Sequence, residues 1–171
     1  MKKYIAEFIG TFVLVVFACG TAAVSGPKVL NGMFMPAYFA TAFAFGLSIV
    51  AMAYSIGNVS GCHVNPAVSL GVFLSGRMSG RDFIGYVIAQ FLGAIIGAAV
   101  LFSLIGTTGN LGSNGLYLND VGASLTIEII LTFVFVLAVL GVTSKAENNV
   151  VAGLVIGLSS VSYTHLTLPT S

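Results

Sequence analysis

A hydroxyl, a thiol, an imidazole and a carboxamide crowd into one short string, Ser60-Gly61-Cys62-His63-Val64-Asn65-Pro66-Ala67-Val68. The string lies inside a run from Val29 to Gly76 that contains no Lys, Arg, Asp or Glu. Two kinds of chemistry suggest themselves. Cys62 beside His63 offers a thiol and a base, but adjacent residues of an extended loop point apart, and no third group is placed to orient them. His63 and Asn65 offer hydrogen bonds to a neutral guest. A polar loop at membrane depth survives only where protein or a water-filled cavity satisfies its backbone. Gly61 gives the loop a flexible approach, and Pro66 is preset for the first position of a helix. Residues 58–76 therefore read as a re-entrant loop capped by a half-helix and lining a pore.

The elements that must hold such a loop follow from composition. The chain of 171 residues is 57% apolar and 6% charged, against roughly 25% charged for a soluble domain. A spanning helix needs about 20 apolar residues. The charge-poor stretches give five spans, at about 4–24, 36–57, 83–106, 122–142 and 150–163, the last short and badly ended. Residues 1–160 form one membrane domain, an all-α polytopic bundle. Five of the six Lys and Arg residues (Lys2, Lys3, Arg77, Arg81 and Lys145) mark one face, and Lys28 the other. The positive-inside rule puts the N-terminus in the cytoplasm. With no Trp, an aromatic belt must draw on Tyr4, Tyr38, Tyr86 and Tyr117. Lys2, Lys3 and the stretch ending at Cys19 imitate a lipid-modified signal peptide, but Glu7 interrupts it and further spans follow. A net charge of +1 without a basic patch offers nothing to nucleic acid.

The chain repeats itself. Glu7-Phe8-Ile9-Gly10-Thr11-Phe12-Val13 matches Glu128-Ile129-Ile130-Leu131-Thr132-Phe133-Val134, and Ala42 to Ser48 matches Gly153 to Ser159. Three spans precede the second copy, so the copies cross the membrane in opposite directions, an inverted repeat. Each copy carries a small residue four before its glycine, Ala42 before Gly46 and Gly153 before Gly157, which lets helices approach closely in lipid. Glu7 and Glu128 are the acids inside spans. A carboxylate there must have partners, and the reading is structural support of re-entrant loops by accepting backbone N–H bonds. Gln90, polar on the third span, is expected to bond a neighbouring helix, and Gly93 and Gly97 to form a packing seam.

The loop string, preceded by Phe45-Gly46-Leu47-Ser48 and followed by Gly85-Tyr86-Val87-Ile88-Ala89-Gln90, resembles the major intrinsic proteins, and among them the bacterial water-selective aquaporins. The likeness runs from about Lys3 to about Ser160. It implies a passive water channel of the plasma (inner) membrane, a homotetramer when complete, with water as permeant and no cofactor. Asn65 would donate its amide to passing water, the half-helix from Pro66 and Ala67 would oppose cations, and carbonyls of Gly61, Cys62, His63 and Val64 would receive single-file water. His63 would brace the loop. Phe45 would supply the filter's bulky wall, where glycerol-conducting relatives usually carry Trp.

The second half departs from the family pattern, which requires a second Asn-Pro-Ala, a filter arginine and a sixth span. Residues 161–171 form instead a Thr/Ser-rich tail, expected to be foreign to the family, and His165 stands one position beyond the spacing of a filter histidine. One half-helix alone would leave Asn65 facing a void or lipid, so these 171 residues are not expected to conduct selectively. Two alternatives stand beside the water channel: a facilitator for glycerol or another small neutral solute, and a non-conducting membrane fragment. An enzyme is not expected. The sequence shows no nucleophile–base–acid set, no phosphate-binding glycine loop and no metal-ligand spacing at Cys19 and Cys62.

Overall fold

The structure is a computed structural model and describes residues 1–25, 35–113, 115–116 and 119–167. Lys28, Tyr117 and residues 168–171 lie outside the described residues, as does the side chain of His165. Six helices carry the architecture: α1 (Lys2–Ser25), α2 (Met35–Ser60), α3 (Pro66–Leu74), α4 (Gly80–Ile105), α5 (Val121–Val142) and α6 (Asn149–Thr167). α1 contains a π-helical stretch at Val15–Cys19. No strand occurs among the described residues. α1, α4, α5 and residues Tyr38–Ser60 of α2 are long and apolar enough to cross a membrane.

Local chemistry sets the helix ends. Ser79 caps α4 by accepting from the Asp82 amide, with Asp82 itself in the positive first turn. Asp120 caps α5 by accepting from Ala123 N at 3.0 Å. The N-terminal ends of α1 and α4 are tied by Lys3 to Asp82 at 2.8 Å and by Tyr4 donating to Asp82 at 2.8 Å.

Side-chain size decides how the helices pair. α4 turns Tyr86, Gln90, Gly93 and Gly97 inward, all buried, while Ile84, Ile88, Phe91 and Ile95 are exposed on its other face. That exposed stripe is what a helix in lipid presents. A Cβ on Gly93 would collide with the Phe8 carbonyl, and one on Gly97 would lie 3.1 Å from the Phe12 carbonyl, so α1 and α4 touch backbone to backbone.

α2 and α6 pair in the same way, and here the repeat shows itself as symmetry. A Cβ on Gly46 would lie 2.6 Å from the Gly157 carbonyl, and one on Gly157 would lie 2.6 Å from the Gly46 carbonyl. Gly46 also meets Val161, and Gly157 meets Val50, the residue in the matching position. A residue that packs against its own repeat mate sits on a two-fold axis, as an inverted repeat requires. The mirrored contact extends to Val161, and α6 runs on to Thr167, beyond the end near 163 and the tail from 161 expected from composition.

Between these pairs Ile49, Val68, Phe135 and Val139 form a core cluster, joined by Leu14 and Ile156. Gly46→Ala pushes a methyl group into backbone that cannot move aside and is expected to cost about 1–3 kcal/mol. Gly57→Ala, in the same helix with open space at its Cβ, is expected to stay within about 0.5 kcal/mol of wild type. Thermal unfolding in detergent, followed by circular dichroism, checks the pair, and equal effects would refute the backbone-contact reading.

Candidate functional site: a loop held by a buried carboxylate

Between the end of α2 at Ser60 and the start of α3 at Pro66 the chain runs through a loop of unusual conformation. φ is +85° at Gly61, +51° at Cys62 and +43° at Val64. Left-handed geometry suits glycine but is rare for a β-branched valine, and each such residue costs roughly 1–3 kcal/mol. What holds the loop is Glu7, fully buried on α1. Its Oε1 accepts from Ser60 Oγ at 2.7 Å and from the His63 amide at 2.9 Å. Its Oε2 accepts from the Val64 amide at 2.7 Å and from Gln90 Nε2 at 2.8 Å. Hydrogen bonds to a charged group contribute about 1.5–3 kcal/mol each, so four of them outweigh the strain at Cys62 and Val64.

The remaining groups close the network. Ser60 Oγ also accepts from the Cys62 amide at 3.1 Å, and Tyr86 donates to the Ser60 carbonyl at 2.7 Å. Gln90 Nε2 also donates to Ser69 Oγ at 3.0 Å, and Ser69 lies 3.1 Å from His63 Nδ1. The His63 ring meets the edge of Tyr86, their centroids 5.0 Å apart. Tyr86 is buried within the bundle, whereas an aromatic-belt residue would face lipid. Two buried polar atoms, Thr11 Oγ1 and Gln90 Oε1, have no partner among the described residues.

Asn65 caps the half-helix. Its Oδ1 accepts from the Ala67 amide at 2.7 Å, with the residue extended at φ −151°. That bond fixes the carboxamide, because the oxygen must face the helix and Nδ2 must face away. Beside it lies a cavity of about 350 Å³, room for on the order of ten waters. Phe45, Gly61, Cys62, His63, Val64 and Asn65 all line it. Pro66 and Ala67 do not; Ala67 faces a shallow groove on the other side of α3, with Glu128. The far wall comes from Phe135 and Val139 of α5 and Ile156 of α6. Asn65, expected to face a void or lipid, is thus walled by the second repeat, whose helices pack across the cavity even with one half-helix present.

Glu128 differs from its repeat mate. It is half-buried, and its Oε2 accepts from the Tyr163 hydroxyl at 2.6 Å. No second re-entrant loop is present among the described residues to offer it N–H groups, so the loop-holding part expected of Glu128 is not seen. No cluster of three or more His, Cys, Asp or Glu able to hold a metal occurs among the described residues, and Cys19 and Cys62 are free.

Sequence reasoning missed the tasks of four residues. Ser69 is fully buried and joins Gln90 to His63; its signal was a hydroxyl in an otherwise apolar half-helix. Ser60 was in the loop string with no task, and Tyr86 was read only as a candidate for the aromatic belt. Arg77, read only as a marker of orientation, also lines the cavity. Its guanidinium donates to the Thr143 carbonyl at 3.1 Å, the Thr143 hydroxyl at 3.1 Å and the Leu140 carbonyl at 3.4 Å.

The major intrinsic protein family model matches residues 1–171. The chain belongs to that family. Among its relatives, Aquaporin Z of Brucella melitensis is 40% identical over 169 residues, covering 92% of this chain and 72% of that protein. Aquaporin Z of Rhodopseudomonas palustris is 38% identical over 181 residues, covering 98% and 73%. Glycerol uptake facilitator protein-like 6 of Lactiplantibacillus plantarum is 37% identical over 164 residues, covering 93% and 72%. The fold matches the aquaglyceroporin from Plasmodium falciparum at a TM-score of 0.80 and 23% identity, over 95% of this chain and 71% of that one. The aquaporin-like, all-helical membrane fold is thereby established for this major intrinsic protein.

Glu7→Gln puts an amide where four donors converge. It is expected to destabilise the chain by on the order of 3 kcal/mol and to speed hydrogen exchange at the His63 and Val64 amides. Glu128→Gln, which loses one hydroxyl contact, is expected to cost on the order of 1 kcal/mol. Melting curves in detergent with residue-resolved exchange check this; equal costs would remove Glu7 from its central place.

Proposed function

We propose that this chain, although its sequence alone led to the expectation that it would not conduct selectively, is a passive channel for water driven by the osmotic gradient, because α5 and α6 wall the cavity beside Asn65. Family membership supports the coarser statement that it is a membrane channel for water or small solutes. The observation that carries the finer one is the cavity wall. Asn65 and the loop offer hydrogen-bonding groups, Phe45, Val139 and Ile156 give apolar wall, and Thr143, Ser160, Tyr163 and Thr164 add further polar side chains. Water in such a space gains donors and acceptors along one line and slips past the remainder. The half-helix adds its positive end at Asn65, and Arg77 adds a full charge, so a cation entering the cavity meets repulsion while neutral water does not. Phe45 adds a bulky aromatic side chain to the wall, which favours water over a three-carbon polyol.

The reading extends to setting. Water is the permeant, the plasma (inner) membrane is the location, the cytoplasm holds the N-terminus with Lys2 and Lys3, and four copies assemble with one pore in each. The chain acts as a conduit and not as an enzyme. Phe45, Gly61, Cys62, His63, Val64 and Asn65 make the path, Pro66 and Ala67 start the half-helix behind it, and Glu7 and Gln90 support the loop.

The facilitator reading has its own support in the similarity to a protein named as a glycerol uptake facilitator. Stopped-flow swelling of vesicles carrying the purified chain separates the readings. Water permeability above that of empty vesicles, lowered several-fold by Asn65→Leu, with glycerol near background, is expected. Comparable glycerol entry would favour the facilitator. Permeability equal to that of empty vesicles for both solutes would leave a non-conducting membrane protein.

A further inference from the structure

The hydrogen-bond directions around Ser69 determine which nitrogen of His63 carries its proton. Glu7 accepts two backbone N–H groups, one on each oxygen, so its carboxylate acts as an acceptor towards Gln90 as well. The amide group of Gln90 facing Glu7 at 2.8 Å must then be the nitrogen, because an oxygen there would set lone pairs against lone pairs. The same nitrogen has no lone pair to offer, so at Ser69 it donates again. Ser69 Oγ is an acceptor towards Gln90, and its own hydrogen needs an acceptor, since the residue is fully buried. The acceptor within its reach is His63 Nδ1, at 3.1 Å. Nδ1 therefore accepts, and the ring hydrogen sits on Nε2.

The position of Nε2 gives this consequence. It has no partner among the described side chains, and His63 lines the cavity beside Asn65. Nε2 also lies where a side chain at 61 would begin: a Cβ on Gly61 would be 3.3 Å away. Glycine leaves it uncovered.

We propose that Ser69 is a positioning residue that holds His63 as its Nε2–H tautomer, so that the imidazole shows the cavity a donor and keeps its basic lone pair turned into the protein. An imidazole with its basic nitrogen on a water path can pick up and release a proton. One whose basic nitrogen is occupied by a buried hydroxyl cannot, and it acts instead as a second donor beside the Asn65 amide. This rests on the water-channel reading for its consequence, but not for its test.

The test is the nitrogen spectrum of the ring. Histidine labelled with nitrogen-15 in the His165→Asn variant leaves His63 as the one reporter. The protein in detergent or lipid is expected to show a protonated Nε2 and an unprotonated, hydrogen-bonded Nδ1 at neutral pH. A protonated Nδ1, or an even mixture of tautomers, would overturn the proposal. Ser69→Ala is expected to move the Nδ1 signal towards that of a free lone pair and to admit the second tautomer. A ring spectrum unchanged by Ser69→Ala would refute the positioning role even if the wild-type tautomer is the one expected. Water permeability of the wild-type vesicles is read separately, so failure of the channel reading and failure of this proposal remain distinguishable.

Discussion

The carboxylate of Glu7 is the interaction on which the rest depends. A carboxylate in the interior of a membrane bundle is unstable without partners, and a loop with Cys62 and Val64 in left-handed geometry is unstable without donors satisfied at depth. Each problem solves the other. Glu7 collects four donors from the end of α2, the loop and α4, and the loop's amides find an acceptor where no water shell exists. A neutral acceptor would supply weaker bonds, and the margin over backbone strain would shrink to little.

That arrangement needs α1 and α4 to be unusually close, and the glycine seam supplies this. Gln90 reaches Glu7 across the same contact in which Gly93, one turn on, rests against the Phe8 carbonyl, the residue after Glu7. Any larger residue at 93 would part the helices and carry the Gln90 amide out of range of both Glu7 and Ser69. Packing and polar geometry are therefore one constraint. Dispersion between helix backbones sets a distance, and the hydrogen-bond network uses it.

Much of this was legible in the sequence because the membrane imposes a strict rule. Polar residues in charge-free surroundings must have a purpose, so the string from Ser60 to Val68, the pair Glu7 and Glu128, and Gln90 stood out by type alone. The inverted repeat was legible because glycine at the two-fold axis is irreplaceable, and the structure brings Gly46 against Gly157. What could not be read is which polar residue meets which. Glu7 finds Ser60 at a separation of 53 residues and Gln90 at 83, and no local pattern encodes those distances. Ser69 looked like an ordinary small residue of a short helix, and Arg77 like a topology signal, because their tasks exist only once α4 and α5 are in place. α6 also runs to Thr167, past the end near 163 that composition suggested, although its last residues are Thr- and Ser-rich.

The charge arrangement around the cavity follows from the same placement. Arg77 is fixed there because the last carbonyls of α5, at Leu140 and Thr143, need donors, and a guanidinium can serve several at once. Its charge thus offsets the negative end of α5, while the half-helix starting at Pro66 points its positive end at Asn65. No acid is among the residues lining this cavity, since Glu7 is sealed behind the loop and Glu128 faces the groove on the other side of α3. On the channel reading proposed above, a neutral dipole would enter such a space at less cost than a cation, which would meet the Arg77 charge and lose hydration.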